Sequence, residues 1–261
     1  MRDASILGVI PARLESQRLP RKPLHRLAGR TLIEWVWRRV VALDVLDACV
    51  VATDSPEIAA ECARFGAAVE LTSPGHPSGT DRIAEVTARP PYDEYDVVVN
   101  IQGDEPFVTA AQVEGAVAQV LAGADVGTVA APLGTLESWL DPSVVKVVRR
   151  EDGTALYFTR APVPHRRDGE PTAAELAGPP YLRHIGVYAY TPAALRRWVV
   201  LPVHALEALE RLEQLRPLAA GFRIGVAVAP PSEGGVDTPE DARRVERRLL
   251  RDGESSGETA R

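Results

Sequence analysis

Apolar and polar positions follow two rhythms along this chain: short runs rich in β-branched residues, and longer stretches where apolar residues return every three or four positions. The first run, Ile6 to Ile10, has the pattern of a central strand covered on both faces. After Gly29, Thr31 can cap a helix in which Leu32, Trp35, Val36, Val40 and Leu43 recur at helical spacing. Ala48 to Thr53 forms a second strand ending at Asp54, and Ser55-Pro56-Glu57 has the composition of a helix start. Ile58, Ala59, Cys62 and Phe65 continue that helix to Gly66. A third strand at Ala68 to Leu71 leads through the turn-forming stretch Thr72 to Arg82 into helical Ile83, Ala84 and Val86. The most apolar strand, Asp96 to Ile101, runs into Gln102-Gly103-Asp104-Glu105-Pro106. Strand, loop and helix repeat in this order, which predicts an α/β fold: a mostly parallel sheet with helices on both faces and right-handed crossovers.

The second half predicts further strands at Gly127 to Leu133, Val144 to Arg149, Ala155 to Thr159, Ile185 to Tyr190 and Arg223 to Ala229. Val144 to Arg149 alternates as an edge strand does, with Lys146 directed to one face. Leu206 to Leu218 reads as one helix, with Leu206, Leu209, Leu212 and Leu215 on a stripe that packs within the lobe or across a dimer. Thr238 and Pro239 start the final helix, and the polar tail after Leu250 reads as disordered.

Composition narrows the function. The 261 residues are 45% hydrophobic, enough for a sizeable core, and the formal net charge of -6 argues against a general nucleic-acid binder. No apolar run has the length of a bilayer span and no signal-type leader is visible, so the expected setting is the cytoplasm. The two cysteines, Cys49 and Cys62, have neither metal-site spacing nor the density of a secreted scaffold.

Candidate chemistry lies in the loops after the strands, where open α/β sheets bind ligands. The loop after the first strand holds Arg13, Arg18, Arg21 and Lys22 between prolines 11, 20 and 23, an ordered basic loop suited to a polyphosphate rather than merely solvated surface. No GxGxxG follows the first strand and no GxxxxGK[ST] occurs anywhere. Ser78-Gly79-Thr80 allows close backbone approach to a base or ribose, and helix capping explains it equally well. Asp104, at the carboxyl edge of the most apolar strand, can hold a divalent cation or cap a helix; Asp237, just before the last helix, reads by position as a cap. Arg160, His165, Arg166 and Arg167 cluster in a proline-bounded loop, and Arg183 and His184 precede a strand.

PAR followed by SQRLPRKPL, then PSGTDRIAE, VNIQGDEP, VVKVV, ALYFTRAPVPHRRDG, LRHIGVYAY, LEQLR and GVDTPED together resemble the 3-deoxy-manno-octulosonate cytidylyltransferases, or CMP-Kdo synthetases, from about Ile6 to Arg247. The resemblance implies a Rossmann-like nucleotidyltransferase of glycosyltransferase-A type with a smaller sugar-binding and dimerisation lobe. It also implies a homodimer that couples CTP to Kdo with Mg2+, releasing pyrophosphate and activating the sugar for lipopolysaccharide-type glycans. Carried onto this chain, it assigns Ala12, Arg13, Lys22, Ser78, Gly79 and Gln102 to the nucleotide and Asp104 and Asp237 to the metal. It assigns Gln102, Arg160, Arg167, His184, Tyr188, Glu213 and Gln214 to the sugar, with Arg13, Lys22, Asp104 and Asp237 carrying catalysis. The nucleotide part would be about 1–126 and 221–250, the lobe about 127–220, and the tail 251–261. The chain departs from the family pattern at Ser16-Gln17, at Arg21 where glycine is common, and at Val203-His204-Ala205 where many relatives have Pro-Ser-Pro. The alternatives are another acidic sugar, an amino-substituted Kdo or a sialic acid, and a nucleotide sensor without catalysis. Retention of both Asp104 and Asp237 weighs against the sensor.

Overall fold

The computed structural model describes residues 4–16 and 18–258, and its fold is α/β, with a mostly parallel sheet flanked by helices. Gln17, one of the departures from the family pattern, lies outside the described residues. Strand β1 (Ile6–Ala12) leads through the basic loop and a 3-10 turn at Lys22–Leu24 to a small hairpin, β2 (Arg26–Leu27) and β3 (Arg30–Thr31). Next come α1 (Leu32–Val41), β4 (Ala48–Thr53), α2 (Pro56–Arg64), β5 (Val69–Leu71), α3 (Gly79–Val86) and β6 (Val97–Asn100). The chain continues with α4 (Ala110–Leu121), β7 (Val126–Pro132), α5 (Leu136–Leu140), β8 (Lys146–Arg149), β9 (Ala155–Thr159) and α6 (Ala173–Leu176). It ends with β10 (Leu182–Tyr190), α7 (Pro192–Val199), α8 (Ala205–Glu210), α9 (Leu215–Ala219), β11 (Ile224–Val228) and α10 (Pro239–Glu258).

Two compact units emerge. One comprises Leu7–Tyr92, Asn100–Val108 and the segment from Ser232 onward. Its strands β1, β4 and β5 are parallel, with β4 in the middle, and the fully buried Leu7, Val9, Ile10, Val50 and Val51 explain why the apolar runs were continuous. Helix α1 buries Leu32, Ile33, Val36 and Val40 on one face. The hairpin is fastened from both sides: Trp35 Nε1 donates to Leu27 O at 2.7 Å, and Ala28 N donates to a Glu246 carboxylate oxygen of α10 at 2.9 Å. Gly29, at φ +85°, makes the turn that a residue with a Cβ would resist.

The other unit comprises the chain start as far as Ile6, Asp93–Val99 and Thr109–Pro231. Here β11 pairs parallel with β7, β7 antiparallel with β10, and β10 antiparallel with β8, which in turn pairs with β9. Helix α4 starts at a capping box of Thr109 and Gln112 and packs on β7, β10 and β11. For that reason residues 109–126 and 221–231, expected with the nucleotide part, cluster in this unit instead. A satellite core of Leu133, Trp139, Leu176 and Tyr181 lies under the connections after β7.

Two expectations are corrected. Leu206 to Leu218 is not one helix: it breaks at Arg211, at φ +53°, whose backbone N–H is accepted by Glu207 O. The polar side turns inward here, since Glu207 is buried in an ion pair with Arg216 at 2.5 Å, while Leu209 is left 81% exposed. Only Leu212 and Leu215 of the predicted stripe are buried. At the end of the chain, α10 continues to Glu258, carried past Leu250 by residues that include an Arg248–Asp252 pair one turn apart; the last three residues lie outside the described residues.

Gly127 of β7 sits so close beneath α4 that a Cβ would enter the van der Waals sphere of Ala116 O. Gly127→Ala should therefore destabilise the fold by about 1–3 kcal/mol or more, read as a lower urea midpoint; an unchanged midpoint would refute this packing.

Candidate functional site

In the first unit, the basic loop curls so that the Lys22 ammonium meets two carboxylates. Its Nζ donates to Asp104 Oδ2 at 2.5 Å and to Asp237 Oδ1 at 2.9 Å, bonds that span 82 and 215 residues. Arg18 Nη2 lies 3.1 Å from the other oxygen of Asp237. Burial works to lower the pKa of Lys22, but the two carboxylates outweigh it and hold the ammonium charged, above its usual range.

Local structure explains why both aspartates are available. The N-terminus of α10 is capped by Thr238, whose hydroxyl accepts from Asp241 N, while the Asp241 carboxylate accepts from the Asp237 and Thr238 amides. Asp237 is thereby released from capping and its side chain turns to Lys22 and Arg18. Two glycines bring the backbones together: a Cβ on Gly103 would lie 2.9 Å from Pro11 O, and one on Gly235 would lie 2.8 Å from Asp104 O. Val236 N donates to Asp104 O at 2.9 Å, which locks the segment before α10 against the loop after β6. Gly103 and Gly235 were not singled out for the site from sequence, although they stand inside the motifs that carry Asp104 and Asp237; Arg18 was read there only as one of the loop's basic residues.

The remaining nucleotide candidates belong to the same unit. Ala12 is buried at the end of β1, Arg13 is exposed, and Gln102 is half-buried just beyond β6. Gly79 packs its α-carbon close to the Pro11 ring, at 3.3 Å from a notional Cβ. Ser78 performs the capping role: its Oγ accepts from Thr80 N and Asp81 N and donates to Asp81 Oδ2. Arg21 stands at φ +57° and its guanidinium pairs with Glu57 of α2.

Asp104 and Asp237 converge on one ammonium, which serves as a stand-in for a cation, and hard carboxylate oxygens suit a divalent ion such as Mg2+. Among the described residues no group of three or more His, Cys, Asp or Glu side chains could hold a metal. Two protein oxygens would leave the other coordination positions to ligand phosphates and water. Both cysteines are inert, their thiols pushed up to about 12 by burial.

The other sugar candidates belong to the second unit. Arg160, at the end of β9, is tied down on two nitrogens: Nε donates to Glu210 O at 2.8 Å and Nη1 to Pro142 O at 3.0 Å. His184 lies in β10 between Phe158 and Tyr188, with ring centroids 5.1 and 5.2 Å away. Thr128 gives its one hydroxyl proton to Val187 O at 2.7 Å, so His184 Nε2 carries hydrogen and donates to Thr128 Oγ1 at 2.9 Å, leaving Nδ1 as acceptor. Burial lowers the pKa of His184 to about 3, so the ring is a neutral polar group and not a cation. Tyr188 is buried and its phenol is raised well above 10, by burial first and then by Tyr190 and Glu213. Gln214 is buried and Glu213 exposed, in the segment after the break at Arg211. Arg167 is exposed, and its neighbour Arg166 pairs with Glu175.

A sequence model of the family described as Cytidylyltransferase matches residues 7–224. A protein of Gemmatimonas aurantiaca named 3-deoxy-manno-octulosonate cytidylyltransferase is 52% identical over 241 residues, 92% of each chain. One of the same name from Xanthomonas oryzae pv. oryzae is 45% identical over 252 residues, 94% of this chain and 96% of that one. Among solved structures, a CMP:2-keto-3-deoxy-manno-octonic acid synthetase complexed with CTP superposes with a TM-score of 0.87 at 34% identity, over 95% of this chain and all of the other. A 4-diphosphocytidyl-2C-methyl-D-erythritol synthase shares the fold, with a TM-score of 0.62 at 14% identity over 95% of this chain and all of the other.

The state of His184 can be read directly. Its depressed pKa means that the stability tied to the neutral ring is complete above about 6.5 and is lost as pH falls towards about 3, because the unfolded chain takes the proton first. Imidazole nitrogen NMR between about pH 8 and 5 should keep His184 in the Nε2–H neutral form; a midpoint in the ordinary histidine range, about 6 to 7, would overturn the assignment.

Proposed function

The chain belongs to the cytidylyltransferase family, and from that membership we propose that it converts CTP and 3-deoxy-D-manno-octulosonate to CMP-Kdo and pyrophosphate. The observation that carries the reading is the meeting of Lys22, Asp104 and Asp237 after strands that are far apart in sequence. The near-full-length identity to relatives of that name supports the substrates. The product activates an acidic sugar for lipopolysaccharide-type glycan synthesis.

The reaction is an in-line displacement: the anomeric hydroxyl oxygen forms a bond to the α-phosphorus, the bond to the bridging oxygen breaks, and the pyrophosphate carries away the electron pair. Charge grows on the phosphoryl oxygens and on the leaving group, so fixed cations serve better than a protein nucleophile. Lys22 and Arg13, both in the loop after β1, neutralise the triphosphate, and Arg18 lies within reach of the same cluster. Asp104 and Asp237 would hold Mg2+. When bound, that ion supplies Lewis-acid polarisation of the α-phosphate and lowers the pKa of the attacking hydroxyl. Ala12, Ser78, Gly79 and Gln102 line the nucleotide, and Gly79 supplies a residue with no side chain for a close approach of the base or ribose. Arg160, Arg167, His184, Tyr188, Glu213 and Gln214 orient the sugar. With His184 neutral, the sugar carboxylate is matched by the arginines, while the imidazole acts on hydroxyls.

A homodimer and a cytoplasmic setting complete the reading. No helix among the described residues is long and apolar enough to cross a membrane.

Pyrophosphate release from CTP and Mg2+ should require Kdo, and should fail without sugar or with a sialic acid. Release only with another acidic sugar would relocate the specificity, and none with any sugar while CTP binds would favour a sensor. Asp104→Asn and Asp237→Asn should each lower kcat by about 100-fold or more, with CTP affinity in the absence of metal little changed. Normal turnover in either variant would remove that residue from the metal site.

A further inference from the structure

Lys146 is the most unexpected charge in the second unit. Sequence placed it on one face of an edge strand, yet its side chain is wholly buried. Its ammonium donates to three main-chain carbonyls, Asp141 O at 2.7 Å, Val144 O at 2.8 Å and Arg160 O at 2.9 Å, using all three of its hydrogens. Two of those carbonyls belong to the turn before β8 and the third to the residue just after β9, so the ammonium closes the open end of this strand pair. Burial lowers its pKa, as does the nearby Arg160, while Asp141 and Glu210 act to raise it.

Glu210 holds the same residue from the other side. One carboxylate oxygen accepts from Thr159 Oγ1 at 2.6 Å, the other accepts from Arg160 N at 2.9 Å, and the Glu210 carbonyl accepts from Arg160 Nε. Pro142 O, in the turn that Lys146 fastens, accepts from Arg160 Nη1. Arg160 is thus fixed at its amide, its carbonyl and two side-chain nitrogens, which leaves Nη2 as the guanidinium edge outside these bonds. The break of the helix at Arg211 places Glu210 at the end of α8, where its backbone carbonyl is available to Arg160.

We infer that Lys146 and Glu210 are positioning residues that aim Arg160 at the carboxylate of the acidic sugar. The inference rests on the reading of Arg160 as a sugar ligand. A guanidinium that recognises a carboxylate gains from being held in one orientation before the ligand arrives, since its own rotamer freedom is then spent in folding. Neither residue touches the sugar; each acts through Arg160.

The test is steady-state kinetics on Lys146→Met, Glu210→Ala, Glu210→Gln and Arg160→Ala in the full chain, with thermal midpoints measured alongside. Glu210→Ala should raise the KM for Kdo about 10-fold while the KM for CTP stays within about twofold, and Glu210→Gln, which keeps one acceptor oxygen, should fall between. Lys146→Met should act in the same direction; if the three abandoned carbonyls prevent folding, the Glu210 pair still decides. In the Arg160→Ala background the Glu210 substitutions should add nothing further to the sugar KM, the coupling expected of residues that work through one another. A Glu210→Ala effect of equal size with and without Arg160, or an equal effect on both substrates, would overturn the positioning role while leaving Arg160 in place. A normal sugar KM in Arg160→Ala would overturn both the assignment of Arg160 and the inference built on it.

Discussion

One ammonium organises the first unit. Lys22 draws together a loop after the first strand, a loop after the most apolar strand and the threshold of the last helix, segments that would otherwise repel through their two carboxylates. Its burial raises the cost of leaving either carboxylate unpaired, and the close glycine contacts at Gly103 and Gly235 follow from bringing three backbones to one point. The parallel strands supply the frame, since they deliver their carboxyl ends, and therefore these loops, to the same edge.

The second unit solves a different problem with the same means. His184 lies among aromatic rings and is neutral, and the Lys146 ammonium lies among main-chain carbonyls and is fully bonded. Low polarity around a donor strengthens its bonds but makes an unpaired charge costly. Arg160 is anchored there by two carbonyls at its guanidinium and by a carboxylate at its backbone amide.

Much of the frame was legible in the sequence because buried parallel strands need continuous β-branched runs, and those runs at Ile6, Ala48 and Val97 could scarcely be anything else. Asp104 and Asp237 could not be separated from helix caps until Thr109 was seen to cap α4 and Thr238 and Asp241 to cap α10. At Ser78 the capping contacts themselves are seen, from Thr80 N and Asp81 N. The helix break at Arg211 left no local signal, for no glycine or proline marks it; tertiary pairing of Glu207 with Arg216 and of Glu210 with Arg160 decides it. Lys146 was likewise hidden, since a lysine in an alternating strand reads as exposed and only the carbonyls of three separate residues explain its burial.

The cluster around Lys22 also has an electrical consequence. Two carboxylates and two cations, Lys22 and Arg18, sum to zero, so this corner exerts little net pull on a simple ion in solution. On the proposed reading, an arriving polyanion would attract the two cations and leave a double negative charge behind, which a divalent ion would cancel. Electroneutrality alone therefore makes the affinities for anion and cation rise together, and by linkage the gain is the same whichever is bound first.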